Sequence, residues 1–177
     1  MEKIPNAIYK MMSFSMKVVD KLKNYSEKNF NTLGIKAGQT VIDYGCGPAR
    51  YIANASKSVG ETGKVIAVDI HPLAVKDAKR KAEELGLKNV EVVLAKGYDT
   101  PLQSGIADVV YALDMFHMID STNLFLKELS RLAKDDGLII IEDGHQSRTN
   151  TKKKISDSGI LKIIEETKKH VKCRKRA

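Results

Sequence analysis

In Val41-Ile42-Asp43-Tyr44-Gly45-Cys46-Gly47-Pro48-Ala49 a carboxylate stands just ahead of two glycines one residue apart. Glycines at 45 and 47 let the backbone turn sharply and come close to a ligand. An ordinary tight strand-to-helix turn has the same pattern, and so does a dinucleotide site, so the glycines alone decide nothing. Asp43 sharpens the reading. A carboxylate there opposes a pyrophosphate, which a dinucleotide turn holds at a helix N-terminus. It suits a ligand that presents an ammonium group. Asp69 ends the next apolar run, a little over twenty residues beyond the glycines. An acidic residue at that place accepts hydrogen bonds from both hydroxyls of a ribose, or else caps a helix.

Positioning these groups takes strands that alternate with helices, and the periodicity supplies them. Strand-like runs are read at Thr40 to Tyr44, Lys64 to Asp69, Val90 to Leu94, Ala107 to Leu113 and Leu138 to Glu142. Two final strands near Ile160 to Glu166 and His170 to Lys175 are expected to form a hairpin around Lys168-Lys169. Helices are expected from Pro48 to about Val59, from His71-Pro72 to a left-handed cap at Gly86-Leu87, over Ser121 to Ala133, and over Thr149 to Asp157. Asp135-Asp136-Gly137 reads as a turn into the fifth strand, and Ala95 to Gly105 as a loop. Such alternation predicts an α/β fold built from parallel βαβ units. The first thirty-odd residues read as amphipathic helix, with Met12, Met16, Val19 and Leu22 recurring at helical spacing. The expected division is a helical segment over 1–33 and one domain over 34–177.

A chain of 177 residues fits one compact domain. No secretory leader is read at the N-terminus and no run is long enough to span a bilayer, so no membrane partner is expected. Cys46 and Cys173 form no metal-ligand pair, and their sparseness fits a cytoplasmic setting. The net charge of +8 comes entirely from residues 148–177, which hold 11 basic residues against Asp157, Glu165 and Glu166. That block is either a nucleic-acid or acidic-partner surface, or a solvated edge whose lysines discourage strand pairing. The second reading is favoured.

Taken jointly, the motifs resemble those of class I S-adenosylmethionine-dependent methyltransferases, over about Gly34 to Lys175. VIDYGCGPA is similar to the family's first cofactor motif and VIAVDI to its second. ADVVYALDMFHMID, LKELSRLAKDDG and LIIIED resemble the strand, helix and strand that follow. The resemblance implies a three-layer Rossmann-like fold: a seven-stranded, mostly parallel sheet with an antiparallel last strand and helices on both faces. It implies S-adenosylmethionine as cofactor and S-adenosylhomocysteine as product. It assigns Asp43, Gly45, Cys46 and Gly47 to the methionine moiety, Asp69 to the ribose, Ile70 to the adenine, and Asp114 to the methionine side. Two positions depart from the pattern. Ala49 replaces a third glycine, which a helix start tolerates. The acidic residue after the third strand is replaced around Ala95-Lys96-Gly97, so Gly97 and Tyr98, with Asp99 shifted, are the expected adenine contacts.

Methyl transfer is an in-line displacement, so the protein mainly aligns and desolvates the reacting atoms. A general base helps only a protonated acceptor. His117, past the fourth strand, is the catalytic candidate, against the plainer reading of a packed residue at a helix start. His145 is a second candidate, with a loop role as its alternative. His71 reads as a cap before Pro72, and His170 has no partner legible in sequence. Cys46 reads as a small residue that fills the turn. Tyr9, Met11, Met12 and Phe14 are expected to cover the cofactor or line an acceptor pocket, or simply to pack.

There is no Pro-Cys dipeptide of the cytosine-methylating kind and no Asn/Asp-Pro-Pro-aromatic run, since Asp114-Met115-Phe116-His117 stands there. Metal-ligand spacing is absent. The expected partner is therefore a small-molecule methyl acceptor, with the acceptor site small or completed by a second subunit as a homodimer. The alternatives are an RNA- or protein-directed methyltransferase that uses the basic C-terminal region, and a non-catalytic cofactor-binding protein.

Overall fold

Short runs of valine and isoleucine become strands because β-branched side chains fit a pleated surface covered on both faces. In the computed structural model, which describes residues 4–23 and 25–176, those runs fall into two compact units, the first ending at Leu94 and the second starting at Ala95.

In the first unit β1 (Thr40–Tyr44), β2 (Lys64–Asp69) and β3 (Val90–Leu94) run parallel in the order β3-β2-β1. Their boundaries are those read from sequence. Val41, Ile42, Val65, Ile66 and Val68 are buried. The helices α3 (Ile52–Val59) and α4 (Pro72–Glu84) cross between the strands. Small residues set how closely they pack: Cys46, Ala49, Ile52, Ala67, Ala78 and Ala82 form one cluster, closed by Leu87, Val90 and Val92. His71 caps α4 as expected, its Nδ1 accepting from the Leu73 amide at 3.1 Å with Pro72 in the first turn. The far end is a Schellman cap: Leu87 N donates to Ala82 O at 2.9 Å and Gly86 N to Glu83 O at 3.0 Å.

Two expectations fail here. Residues 48–51 bend without forming helix, and α3 begins at Ile52, because Ala49 adopts a left-handed φ of 58°. The N-terminal stripe also faces the wrong way. In α1 (Asn6–Lys23) the buried side is Tyr9 and Ser13 with the partly covered Met12, Met16 and Asp20, whereas Val19 and Leu22 are exposed. Polar anchors choose the inner side: Tyr9 donates to Asp77 at 2.9 Å, and Arg50 forks onto Asp20 at 2.8 Å. A short helix, α2 (Tyr25–Phe30), and a 3-10 turn at Asn31–Leu33 lead into β1.

In the second unit β4 (Ala107–Ala112), β5 (Ala133–Glu142), β7 (His170–Lys175) and β6 (Leu161–Glu166) lie in the order β4-β5-β7-β6. β4 and β5 are parallel, and β7 opposes both β5 and β6. Among the described residues there are thus seven strands with one that runs against its neighbours, as the resemblance implies. The Asp135-Asp136-Gly137 turn lies inside β5 instead of before it. Ala107 pairs with Ala133 and Val109 with Leu138, so residues 134–137 bulge out between the two pairings. Lys134 clips the bulge to Asp108 at 2.6 Å.

The helices of this unit are α5 (Thr122–Leu132) and α6 (Arg148–Ser158), the latter capped by Ser147, whose side chain accepts from Asn150 N. Buried Glu128 and half-buried Arg131 of α5 hold the 95–105 loop. Glu128 accepts from the Thr100 amide and hydroxyl at 3.1 and 2.7 Å, and Arg131 donates to Leu102 O at 2.7 Å. Much of the basic C-terminal charge is matched: Arg148 with Asp143, Lys152 with Glu166, Lys153 with Asp157, Lys172 with Glu165 and Lys175 with Asp135. No helix among the described residues is long and apolar enough to cross a membrane.

His170 is fully buried on β7, opposite Glu142. Burial lowers its pKa from 6.5 to about 4, helped by the charges of Lys169, Arg148 and Lys172 against Asp143. The unfolded chain therefore takes up this proton first as pH falls. Its contribution to stability is complete above pH 6.5 and is lost down to about pH 4. Urea unfolding across that range should show the loss, and His170→Gln should flatten it; an unchanged slope would refute the assignment.

Candidate active site

The first unit brings the sequence-predicted residues of the glycine turn together around one carboxylate. Asp69, at the end of β2, accepts from Gly47 N through Oδ2 and from His71 N through Oδ1, each at 2.8 Å. Burial pushes its pKa up, while the His71 and Gly47 amides pull it down. One side chain thus fixes both the glycine turn and the start of α4. Asp43 is buried on β1 beside Ala67 of β2. Ile70 is buried in the β2–α4 turn.

Every backbone amide of the turn is spoken for. Gly45 N and Cys46 N both donate to Val68 O, at 2.8 and 3.0 Å, and Ala49 N donates to Cys46 O at 3.0 Å. Gly47 N is held by Asp69, and Pro48 has no N–H. No cradle of open amides remains for a phosphate, and the helix N-terminus that would aid one starts only at Ile52. Burial, with Asp69 and Asp43 nearby, raises the Cys46 thiol well above its ordinary pKa. Cys46 is therefore a protonated filler, not a nucleophile. Gly47 has a φ of 50°, and a Cβ built on it meets no atom within 4 Å, so the turn's outer side is open to a ligand.

Ala49 occupies the third glycine position at a φ of 58°. The left-handed backbone costs about 1–2 kcal/mol. Its fully buried methyl in the Cys46–Ile52–Ala78 cluster returns about 0.8 kcal/mol. The packing thus offsets much of the strain. Alanine is tolerated by this balance, and not, as the sequence suggested, because a helix starts there.

The first unit also holds a cluster that sequence reasoning missed. Tyr9 stacks on His71 with centroids 4.6 Å apart, and His71 Nε2 lies 3.1 Å from Ile4 O. Arg50 lies over the Tyr25 ring at 4.6 Å, and Lys81 donates to Ala49 O at 2.8 Å. Met11 and Phe14 are exposed. Partners so far apart in sequence leave no local signal.

In the second unit Asp114 lies two residues past the end of β4 with a φ of 55°, followed by the 3-10 turn Phe116–Met118 that carries His117. Residues in this sparse region gather at functional sites. His117 meets His145 edge-on, with centroids 4.8 Å apart. Burial lowers the His117 pKa, aided by His145 and Lys154 and opposed by Asp114, which keeps the ring unprotonated at neutral pH. The two candidate bases thus sit together. Gly97 (φ 65°) and Tyr98 form the tip of a turn closed by Lys96 N to Asp99 O at 2.9 Å. The Tyr98 hydroxyl is tied to Asp120 and accepts from Ser121 N at 3.1 Å, and its ring meets Phe125 edge-on. Asp99 is exposed. Among the described residues no group of acidic, histidine or cysteine side chains has the makings of a metal site.

Residues 35–173 match the family model described as a methyltransferase domain. The chain belongs to this methyltransferase family. Curated relatives include demethylmenaquinone methyltransferases of Oceanobacillus iheyensis (26% identical over 118 residues, 67% of this chain and 50% of the relative) and Staphylococcus saprophyticus (28% over 127 residues, 72% and 54%). The chain thus spans about half the length of the curated relatives it matches. A solved S-adenosylmethionine-dependent methyltransferase from Aquifex aeolicus is 28% identical, with 92% of this chain and 97% of that one covered and a TM-score of 0.74. A Methanococcus maripaludis structure titled a putative S-adenosylmethionine-dependent methyltransferase shares the fold at 17% identity, with 100% and 97% covered and a TM-score of 0.77. The Rossmann-like methyltransferase fold implied by the motifs is the fold of this chain.

Gly144 holds His117 in place by having no side chain. It has a φ of 64°, and a Cβ there would fall 2.1 Å from His117 Nδ1. Gly144→Ala should cost about 1–2 kcal/mol of stability from the left-handed backbone and drive the His117 ring aside. Its imidazole resonances should move and its pKa should rise toward the ordinary histidine value. Unmoved resonances would show that the contact is not there.

Proposed function

We propose that this chain is a cytoplasmic enzyme that transfers the methyl group of S-adenosylmethionine to a small molecule. The amide accounting of the glycine turn carries the reading. With the 45–49 amides all engaged or absent, and with buried Asp43 and half-buried Asp69 beside them, the turn favours an amino-acid-bearing nucleoside over a phosphate-bearing one.

The donor set suits that cofactor. Asp43 would answer the ammonium group, and the backbone of Gly45, Cys46 and Gly47 would hold the methionine chain. Asp69 accepts from the ribose hydroxyls with its remaining lone pairs. Ile70 would pack on the adenine, while Gly97, Tyr98 and Asp114 of the second unit keep the roles that the motif resemblance implies for them. The cofactor supplies an electrophilic methyl on a positively charged sulfur that leaves as a neutral thioether. Residues 1–33 are the N-terminal helical segment and 34–177 the methyltransferase domain. His117 takes the proton that a protonated acceptor gives up, and its lowered pKa leaves it free to do so at neutral pH. Relatives named for demethylmenaquinone support a small organic acceptor over a macromolecule.

Calorimetry should show S-adenosylhomocysteine binding in the micromolar range, and Asp69→Ala should weaken it about tenfold or more. No binding, or a parent-like Asp69→Ala, would refute the reading. Turnover of the labelled cofactor against a metabolite pool should yield methylated product; its absence would leave only the binding role.

A second measurement separates His117 as base from His117 as packing. Its pKa lies below 6.5, so the rate should hold level through neutral pH and fall on acidification below that value. His117→Gln should lower kcat by about 100-fold and erase the acid limb while the product still binds. A variant that keeps the parent's limb would assign His117 a structural role.

A further inference from the structure

We propose that the outward face of α1 docks on an anionic lipid surface. Ile8, Met11, Phe14, Val18, Val19 and Leu22 form a stripe along this 18-residue helix, opposite the anchored Tyr9–Ser13–Asp20 side. Met11, Phe14 and Leu22 are 69%, 70% and 77% exposed, and the six make up most of the eleven large apolar side chains exposed among the described residues. Single exposed apolar residues are ordinary; a continuous stripe on one helix marks an interaction surface.

Charge selects the occupant. Exposed Lys10 and Lys17 lie one helical step to the side of the stripe, so an apolar band runs beside a cationic edge. The sequence of α1 has four lysines and a single acidic residue, Asp20, which is already held by Arg50 and by the Ser26 amide. A second copy of the helix would bring lysines and apolar residues without a carboxylate to answer them. An anionic bilayer answers both, with acyl chains for the stripe and headgroups for the lysines. This departs from the expectation of no membrane partner, which was drawn from the lack of a spanning segment.

The inner side of α1 is fastened to the surroundings of the glycine turn, through Tyr9 on His71 and Asp77 and through Asp20 on Arg50. Docking would therefore bring the turn close to the lipid surface, where an apolar acceptor is carried. That consequence rests on the methyl-transfer reading above; the docking itself does not.

Flotation of the full chain with vesicles of phosphatidylcholine, alone or mixed with phosphatidylglycerol, tests the proposal. Binding to the mixed vesicles that falls steeply with salt is expected. The double change Phe14→Ser with Leu22→Ser should weaken it about tenfold or more, and Lys10→Glu with Lys17→Glu should do the same. None of these side chains holds the fold or the turn, so melting temperature and S-adenosylhomocysteine affinity should stay at parent values. That keeps failure of docking distinct from failure of the methyltransferase reading. No binding to the mixed vesicles, or binding indifferent to both double variants, would overturn it. So would a concentration-dependent dimer in light scattering that Phe14→Ser with Leu22→Ser dissolves, which would make a second copy the occupant.

Discussion

The Asp69 carboxylate spans two backbone amides, one in the glycine turn and one at the start of α4, and the site in the first unit depends on that bridge. Burying a carboxylate is costly unless its lone pairs are met, and two amide donors meet them. The bridge has a chemical consequence. Once Gly47 N is held by Asp69, and Gly45 N and Cys46 N by Val68 O, the turn has no positive edge to offer an anion. Burial, with Asp69 and Asp43 nearby, also keeps the Cys46 thiol protonated. A turn with the outline of a dinucleotide site is thereby set against dinucleotides by its hydrogen bonding, with no change in backbone path.

Strain is distributed in a similar way in each unit. Ala49 and Asp114 are the non-glycine residues described with left-handed backbones, and each lies just past the carboxyl end of a strand. At Ala49 a buried methyl offsets the cost. Asp114 has no such return evident, since its side chain is only half-buried. An aspartate tolerates the conformation better than most residues, but it is still held there by its surroundings. What that placement secures is a carboxylate beside the His117 turn, where it works against the pKa-lowering influence of burial, His145 and Lys154.

The strands were legible because their signal is local. Thr40–Tyr44, Lys64–Asp69 and Val90–Leu94 were read to the residue, since each is a β-branched run bounded by glycine, proline or charge. The caps of α4 were legible for the same reason: His71-Pro72 and Gly86-Leu87 act over a few residues. Errors arose where a distant partner overrode the local pattern. Pro48 promised a helix start that the conformation of Ala49 denies. Val19 and Leu22 promised a buried face that Tyr9 and Asp20, through Asp77 and Arg50, turn outward. Gly144 carries no local signal, and its use, to clear space for a ring 27 positions earlier, shows only once His117 lies against it. Asp43, Asp69 and the glycines were legible as a set, while the amide accounting that gives them meaning needed coordinates.

The helix α1 shows how folding and exposure can be uncoupled on one element. Its inner side is secured by aromatic stacking, a hydroxyl–carboxylate bond and a forked guanidinium–carboxylate pair, none of which uses the outer apolar side chains. Those outer residues therefore add little to holding the helix against the first unit. In water they carry a solubility cost, which polar residues at the same positions would avoid. Folding stability does not explain Met11, Phe14 and Leu22, so the explanation has to come from something that covers them. A surface carrying both hydrocarbon and negative charge matches the stripe and its lysine edge together, whereas water matches only the lysines.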